Sequence, residues 1–333
     1  MKRIVSGVQP SGSLTIGNYL GAIQNFVKLQ TEFNEAEFFF FVADLHSITV
    51  TQDRLQLRKN IKEVAALYIA CGLDPEKVNL FIQSEVPAHN QLGYIMESTA
   101  YIGEMERMTQ YKDKRQRQVE GIKTSLLTYP ALMASDILLY DAEIVPIGDD
   151  QNQHLELTRL LAERFNNQYG NTFVVPKAYY SKGSVRIKSL TDPLKKMSKS
   201  DDNEKSYILL LDDLNRIKNK INSAVTDSDA NIIFDEVNKP GISNLLNIYS
   251  AFSNISIKDL EDKYRNQSYQ QFKSDLGNLI VSKLKPIQEK YQTIINSKEL
   301  DDILDKGRDR AILISNRKLE KVYHKVGLGR KRK

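Results

Sequence analysis

Ile4-Val5-Ser6-Gly7-Val8 runs into Gln9-Pro10-Ser11-Gly12-Ser13, and Leu14-Thr15-Ile16-Gly17-Asn18 follows directly. The first five residues are rich in β-branched side chains and fit a short strand. The middle five are turn formers. A helical pattern takes over from about Thr15 and continues to Gln30. A strand that enters a small-residue loop and opens a helix is the first half of a βαβ unit. The helix N-terminus offers free N–H groups and the positive end of its dipole, which suits a phosphate. The spacing is neither GxxxxGK[ST] nor GxGxxG, so neither the P-loop nor the dinucleotide fingerprint applies. Taken alone, the loop is equally compatible with a plain structural turn.

Outward from this loop, strand and helix patterns alternate. Strands are predicted at Phe38–Ala43, Asn79–Gln83 and Glu143–Ile147. Helices are predicted at Gln52–Cys71, Asn90–Ala100, Pro130–Tyr140 and His154–Phe165, with Pro130 in a first turn. Strands separated by helices imply parallel pairing and a doubly wound α/β sheet. After about Lys205 strand patterns fade and helical periods dominate: Leu211–Ala224, Ser243–Phe252, Ile257–Tyr264, Tyr269–Tyr291 and Leu300–Val326. A domain change is placed between roughly 185 and 205.

The chain has 333 residues, 41% hydrophobic and 27% charged, which excludes wholesale disorder and allows about two domains. One cysteine, Cys71, excludes an intramolecular disulfide framework and a Cys-rich metal site. No stretch approaches the ~18 apolar residues of a membrane span. The start, Met1-Lys2-Arg3-Ile4-Val5, enters a strand pattern at once, and a cytoplasmic protein without membrane partners is expected. Net charge is +5 but unevenly placed: Val281–Lys333 carries 15 Lys/Arg against 7 Asp/Glu. That asymmetry fits an anionic partner, or simply a solvated helical end.

Two further features bear on chemistry. Lys195-Lys196-Met197-Ser198-Lys199-Ser200 clusters ammonium groups in a polar loop. They either lie in water or meet an anion such as a leaving pyrophosphate. Asp136 sits in the apolar run Ala131-Leu132-Met133-Ala134-Ser135-Asp136-Ile137-Leu138-Leu139-Tyr140. A carboxylate there needs hydrogen-bond donors. It is either a structural Asp or the acceptor for a donor-only ligand such as an indole N–H. Met133, Asp136 and Tyr140 share one helix face. Four histidines and one cysteine support a zinc site poorly.

Pro10-x-Gly12-x-x-Thr15-Ile16-Gly17-Asn18 and Lys196-Met197-Ser198-Lys199-Ser200 together resemble the two signature motifs of class I aminoacyl-tRNA synthetases. With Asn18-Tyr19-Leu20-Gly21-Ala22, the first motif resembles that of the bacterial-type tryptophanyl-tRNA synthetases. The similarity covers most of the chain. It includes Ala43-Asp44-Leu45-His46, Phe81-Ile82-Gln83-Ser84-Glu85-Val86-Pro87, Gly148-Asp149-Asp150-Gln151 and Lys239-Pro240-Gly241-Ile242-Ser243-Asn244.

The resemblance implies a Rossmann-like, doubly wound catalytic domain over residues 1–190. Residues 191–333 would hold the lysine-rich loop and a smaller all-helical tRNA-binding domain, its last helix returning to the catalytic domain. It implies tryptophan activation by ATP and transfer to tRNA(Trp), with Mg²⁺ accompanying ATP, no protein side chain holding a metal, and a homodimer. Lys196, Lys199 and Lys114 are expected at the triphosphate. Gln9, Pro10, Ser11, Gly17, Asn18, Gly148, Asp149, Asp150, Ile187, Met197, Ser198 and Ser200 are expected around ATP. Asp136, Met133, Tyr129, Gln151, Gly7, Val5, Ala43 and His46 are expected around tryptophan, with Asp136 reading the indole. The chain departs from the family at Val5, where several members carry an aromatic, at Ala43, often Val, and at Lys188, usually apolar. Two rivals are a tyrosine-specific relative and a non-catalytic RNA-binding paralogue. Thr15-Ile16-Gly17-Asn18 argues against the first, and the intact pair Lys196 and Lys199 against the second.

Overall fold

The computed structural model describes residues 2–10, 12–112, 121–180, 186–229 and 231–330. Lys114 and Ser11 lie outside the described residues. Five strands form one parallel sheet: β1 (Arg3–Val8), β2 (Glu37–Val42), β3 (Val78–Ile82), β4 (Ile144–Pro146) and β5 (Lys177–Tyr179). Their order is β3-β2-β1-β4-β5. β2 reads Glu-Phe-Phe-Phe-Phe-Val and is buried at every position, as a central parallel strand with both faces covered requires. Phe38, Phe40 and Val42 join the core on one face, and Phe39 and Phe41 join the core on the other.

Between the strands lie α1 (Ile16–Asn18), α2 (Gln24–Glu32), α3 (Asp44–Ser47) and α4 (Arg54–Ala70). They are followed by α5 (Ala88–Thr99), α6 (Ile102–Glu106), α7 (Thr124–Leu138) and α8 (Asn152–Tyr169). The later region holds α9 (Leu214–Asn222), α10 (Pro240–Ser253), α11 (Ile257–Tyr264), α12 (Tyr269–Ile294) and α13 (Lys298–Val326). α2, α4, α9, α10 and α12 share one core with one face of the sheet, and α5, α7 and α8 share the other.

The last helix passes from the first core, at Leu300, to the second, at Ala311, Ile314, Leu319 and Val322. It thereby covers β3, the sheet edge that is otherwise open to pairing. The close approach falls at Gly307, where any Cβ would overlap the Leu80 carbonyl. Arg310 Nη2 pairs with Glu37 at 2.6 Å and Lys318 Nζ donates to the Thr172 carbonyl at 2.8 Å, fixing the helix along its length.

Three details differ from the sequence reading. β5 was not expected, because Lys-Ala-Tyr lacks a β-branched run. The helix expected at Pro130 begins at Thr124 and keeps Pro130 inside it. A proline there removes one bond to the carbonyl four residues back and crowds that carbonyl, and the helix continues through it. The helix expected from Thr15 to Gln30 is interrupted by a wide π turn at Tyr19–Ile23. Asn25 Nδ2 donates to the Gly21 carbonyl there, at 2.9 Å.

Candidate functional site

The strand order reverses between β1 and β4. In a doubly wound sheet the crevice at the carboxyl ends of such a pair is the ligand site. A cavity of about 650 Å³ opens there. β1 contributes Val5 and Gly7 to it, Gln9 follows β1, and Gly148 and Asp150 follow β4. Gly7 has no room for a side chain: a Cβ would lie 2.6 Å from the Phe41 ring. Ala43, His46, Tyr129, Met133, Asp136 and Gln151 line the remainder, with Asn18 at the mouth of the first helix.

Asp136 projects from α7 and is 2% exposed. Three donors converge on it. His46 Nε2 donates to Oδ2 at 2.8 Å, while His89 Nδ1 and Gln83 Nε2 donate to Oδ1 at 2.6 and 2.7 Å. A carboxylate is acceptor-only, so each of these imidazole nitrogens carries the proton. Burial pushes the carboxyl upward, but the hydrogen bonds from His46 and His89 outweigh it and lower the group to about 2. Asp136 is therefore an ionised acceptor on the cavity wall at any ordinary pH. Two turns earlier on α7, Tyr129 shares a 2.7 Å hydrogen bond with His154, with Gln110 beside it.

The small-residue loop is held from behind. Thr15 and Asn18 cap one another: Thr15 N donates to Asn18 Oδ1 at 2.9 Å and Asn18 N to Thr15 Oγ1 at 3.2 Å. Ile16 N donates to the Ile208 carbonyl and Leu210 N to the Leu14 carbonyl, at 3.0 and 2.8 Å. The stretch after the lysine loop is thus bonded to the phosphate-type loop.

The lysine loop is pinned on its other side. Met197 N donates to the Ile187 carbonyl and Ser189 N to the Lys195 carbonyl, and Lys188 bridges Lys196. Met197 and Ile187 are buried together in the core rather than open to the cavity. Gly17 packs against both, its Cβ position lying 3.6 Å from Ile187 and 3.9 Å from Met197. Pro10 is buried beside the loop. Lys196, Ser198 and Ser200 are exposed, and the half-buried Lys199 lays its ammonium against Gly12. Burial lowers the Lys199 ammonium and the Glu63 carboxylate opposes that. Asn244 of α10 holds the backbone of Lys188 from both sides, at 2.9 and 3.0 Å.

Thus the structure brings Gln9, Asn18, Gly148 and Asp150 into one cavity with all eight residues expected around tryptophan. The backbone of Asp149 starts the short turn at Asp149–Gln151 beside them. Sequence reasoning missed Gln83 and His89 as partners of Asp136, and Glu63 and Asn60 beside Lys199 and Gly12. Gln83 was visible as a polar residue ending a strand; His89 carried no local mark. Among the described residues no group of three His, Cys, Asp or Glu side chains is arranged to hold a metal ion, and no helix is long and apolar enough to cross a membrane.

Residues 1–285 match the family model for class I tRNA synthetases of the W and Y type. The tryptophan–tRNA ligase of Bacillus subtilis is 57% identical over 330 residues, 99% of each chain. That of Oceanobacillus iheyensis is 57% identical over 99% of this chain and 100% of its own. Among solved structures, tryptophanyl-tRNA synthetase of Mycoplasma pneumoniae superimposes with a TM-score of 0.88 at 39% identity, covering 99% of this chain and 98% of that one. The Campylobacter jejuni enzyme, complexed with ADP and tryptophan, gives 0.83 at 34% identity over 98% of this chain and 100% of its own. With its ionised acceptor at the switch point, its first motif loop bonded to the stretch after the second, and these relatives along its whole length, the chain belongs to the bacterial tryptophan–tRNA ligases of class I.

Proposed function

We propose that the chain joins L-tryptophan to tRNA(Trp) in two steps at the cavity between β1 and β4. The tryptophan carboxylate attacks the α-phosphorus of ATP in line. The bond from that phosphorus to the bridging oxygen breaks, and pyrophosphate leaves. The 2′-hydroxyl of the tRNA's terminal adenosine then attacks the carbonyl carbon of tryptophanyl-AMP, and AMP leaves.

The observation that carries the reading is Asp136, buried, ionised and aimed at a cavity at the switch point. The indole N–H is a donor with no acceptor face, so an acceptor-only partner fits it. Side chains lacking a donor at that height leave the remaining lone pair of Oδ2 unfilled beside His46, which supports discrimination without a separate editing site. Val5, Ala43 and Met133 wall the ring, and Tyr129 and Gln151 face its polar head. Gln9, Asn18 and Gly148 line the nucleotide end. Lys196 and Lys199, with Lys114, neutralise the charge that develops on pyrophosphate. Mg²⁺ enters with ATP as part of the substrate and is held by its phosphates.

We divide the chain into the catalytic domain, 1–190, and the lysine loop with helical domain, 191–333. The basic C-terminal helices suit tRNA phosphates. Tyr94, Tyr101 and Ile102, on α5 and next to it at α6, are 71%, 65% and 71% exposed, which supports a homodimer with this apolar face inside. The use of ATP and tRNA supports a cytoplasmic location.

Asp136→Asn tests the reading. The amide keeps the shape but loses the charge and one acceptor. The tryptophan KM in ATP–pyrophosphate exchange is expected to rise by about a hundredfold, with the ATP KM within about twofold. An unchanged tryptophan KM would overturn it.

A further inference from the structure

His89 does not line the cavity, yet it is fully buried directly behind the group that does. It stands in the first turn of α5, just past the end of β3. Its Nδ1–H donates to Asp136 Oδ1 at 2.6 Å, and its Nε2 meets the Tyr140 hydroxyl at 2.8 Å. The ring packs among Phe41, Phe81 and Tyr140, with centroids 5.7, 6.0 and 5.6 Å away. Tyr140 is itself stacked on Phe39 at 4.6 Å. Ser135 Oγ donates to the His89 carbonyl at 2.6 Å, tying this turn to the helix that bears Asp136. A line of polar groups, Tyr140 to His89 to Asp136, is therefore sealed in aromatic surroundings and open only at its carboxylate end.

The direction of this line follows from the donors. Asp136 has no proton to give, so His89 holds one on Nδ1. With one proton on the ring, Nε2 accepts and the Tyr140 hydroxyl donates to it. Oδ1 is filled by His89 and Gln83, whereas Oδ2 receives only His46 among the described residues.

We propose that His89 and Tyr140 are positioning residues for tryptophan selection: Tyr140 fixes the His89 tautomer, and His89 fills Oδ1, keeping Asp136 ionised and leaving a lone pair of Oδ2 for the indole N–H. This rests on the reading of Asp136 as the indole acceptor. The titratable groups facing Asp136 are His46 from α3, His89 from α5 and Tyr140 from beyond the end of its own helix; Gln83 is neutral. His89 helps to lower the Asp136 carboxyl against a burial that raises it, so its removal moves the titration of Asp136 upward toward working pH.

The test is the tryptophan KM against pH, 5.5 to 8.5, in ATP–pyrophosphate exchange by the full-length protein and three variants. The wild type is expected to show no rise assignable to Asp136. His89→Leu is expected to raise the tryptophan KM by about tenfold at pH 7.5 and further at pH 5.5, with the ATP KM within about twofold. His89→Asn keeps an N–H at the δ position and is expected to recover most of the loss. Tyr140→Phe is expected to raise the tryptophan KM by about threefold. A merely structural role would lower kcat or yield and leave the pH profile flat.

Spectra of wild-type protein labelled with ¹⁵N-histidine need no variant to fold. With four histidines in the chain, His46 is expected as the Nε2–H form and His89 as the Nδ1–H form. An Nε2–H or doubly protonated His89, or a His89→Leu protein with unchanged tryptophan KM and flat profile, overturns the proposal. The same assays use β-(3-benzothienyl)-L-alanine, in which sulfur replaces the indole N–H. If wild type activates it as well as tryptophan, the reading of Asp136 falls. If wild type rejects it while His89→Leu behaves as wild type, only the role of His89 falls.

Discussion

Asp136 would be among the least favourable residues in its helix if its three donors were absent. Burial alone favours the neutral acid; His46 and His89 reverse that and hold the group at about 2, while Gln83 shares Oδ1 with His89. The sign of the pH effect follows. A carboxyl lower in the folded than in the unfolded chain stabilises the fold fully above its ordinary value of 3.8, and that stability is lost as pH falls toward about 2. A displacement of this size corresponds to roughly 2 kcal/mol. Urea unfolding of the wild type and Asp136→Asn from pH 5 downward is expected to show their difference shrinking by that amount. A difference constant with pH would mean that the Asp136 carboxyl titrates alike in the folded and unfolded chain, and a difference growing as pH falls that it is neutral in the fold. The need for donors was legible in the sequence, because a carboxylate stood in an apolar helix. Their identity was not: Gln83 and His89 lie 53 and 47 residues away and reach Asp136 only once β3 and α5 are in place.

At the scale of elements, the lysine loop is a short polar run tied down at a buried methionine. Met197 sits in the core with Ile187 and Leu190 while Lys196 and Ser198 remain in solvent. Asn244 fastens Lys188, the bridge partner of Lys196, to α10, so the loop's placement depends on the helical region. Met197→Ala is expected to destabilise the protein by about 2–4 kcal/mol. It should also lower kcat for exchange at least tenfold while the tryptophan KM stays within about twofold. Thermal unfolding and exchange kinetics on one sample check both, and a changed tryptophan KM with normal kcat would contradict it. The alternating strands and helices were legible because β1 and β2 are β-branched or aromatic and α4 is a long run without glycine or proline. β5 was not, since Lys-Ala-Tyr has the composition of a half-exposed edge strand. Pro130 misled as a helix start, because the buried helix around it continues through the lost bond and the crowded carbonyl.

On the scale of the whole molecule, the chain returns to its beginning. α13 crosses the β3 edge at Gly307 and anchors through Arg310 on Glu37, which also pairs with Arg3 at 2.9 Å. The C-terminal end, where an anionic partner was expected, is therefore fastened to the sheet beside the cavity. With 15 basic against 7 acidic residues after position 280, the tRNA step should be the salt-sensitive one. Raising salt from 50 to 200 mM is expected to lower kcat/KM for tRNA charging at least tenfold, and exchange, which needs no tRNA, by less than about twofold. Equal loss in both would remove the C-terminal helices from tRNA binding.

Amino-acid-dependent ATP–pyrophosphate exchange with each of the twenty amino acids, in the presence of Mg²⁺, bears most directly on tryptophan activation at Asp136. Exchange with tryptophan and with none of the other nineteen is the predicted result. Exchange with tyrosine, or with no amino acid at all from folded protein, would contradict it.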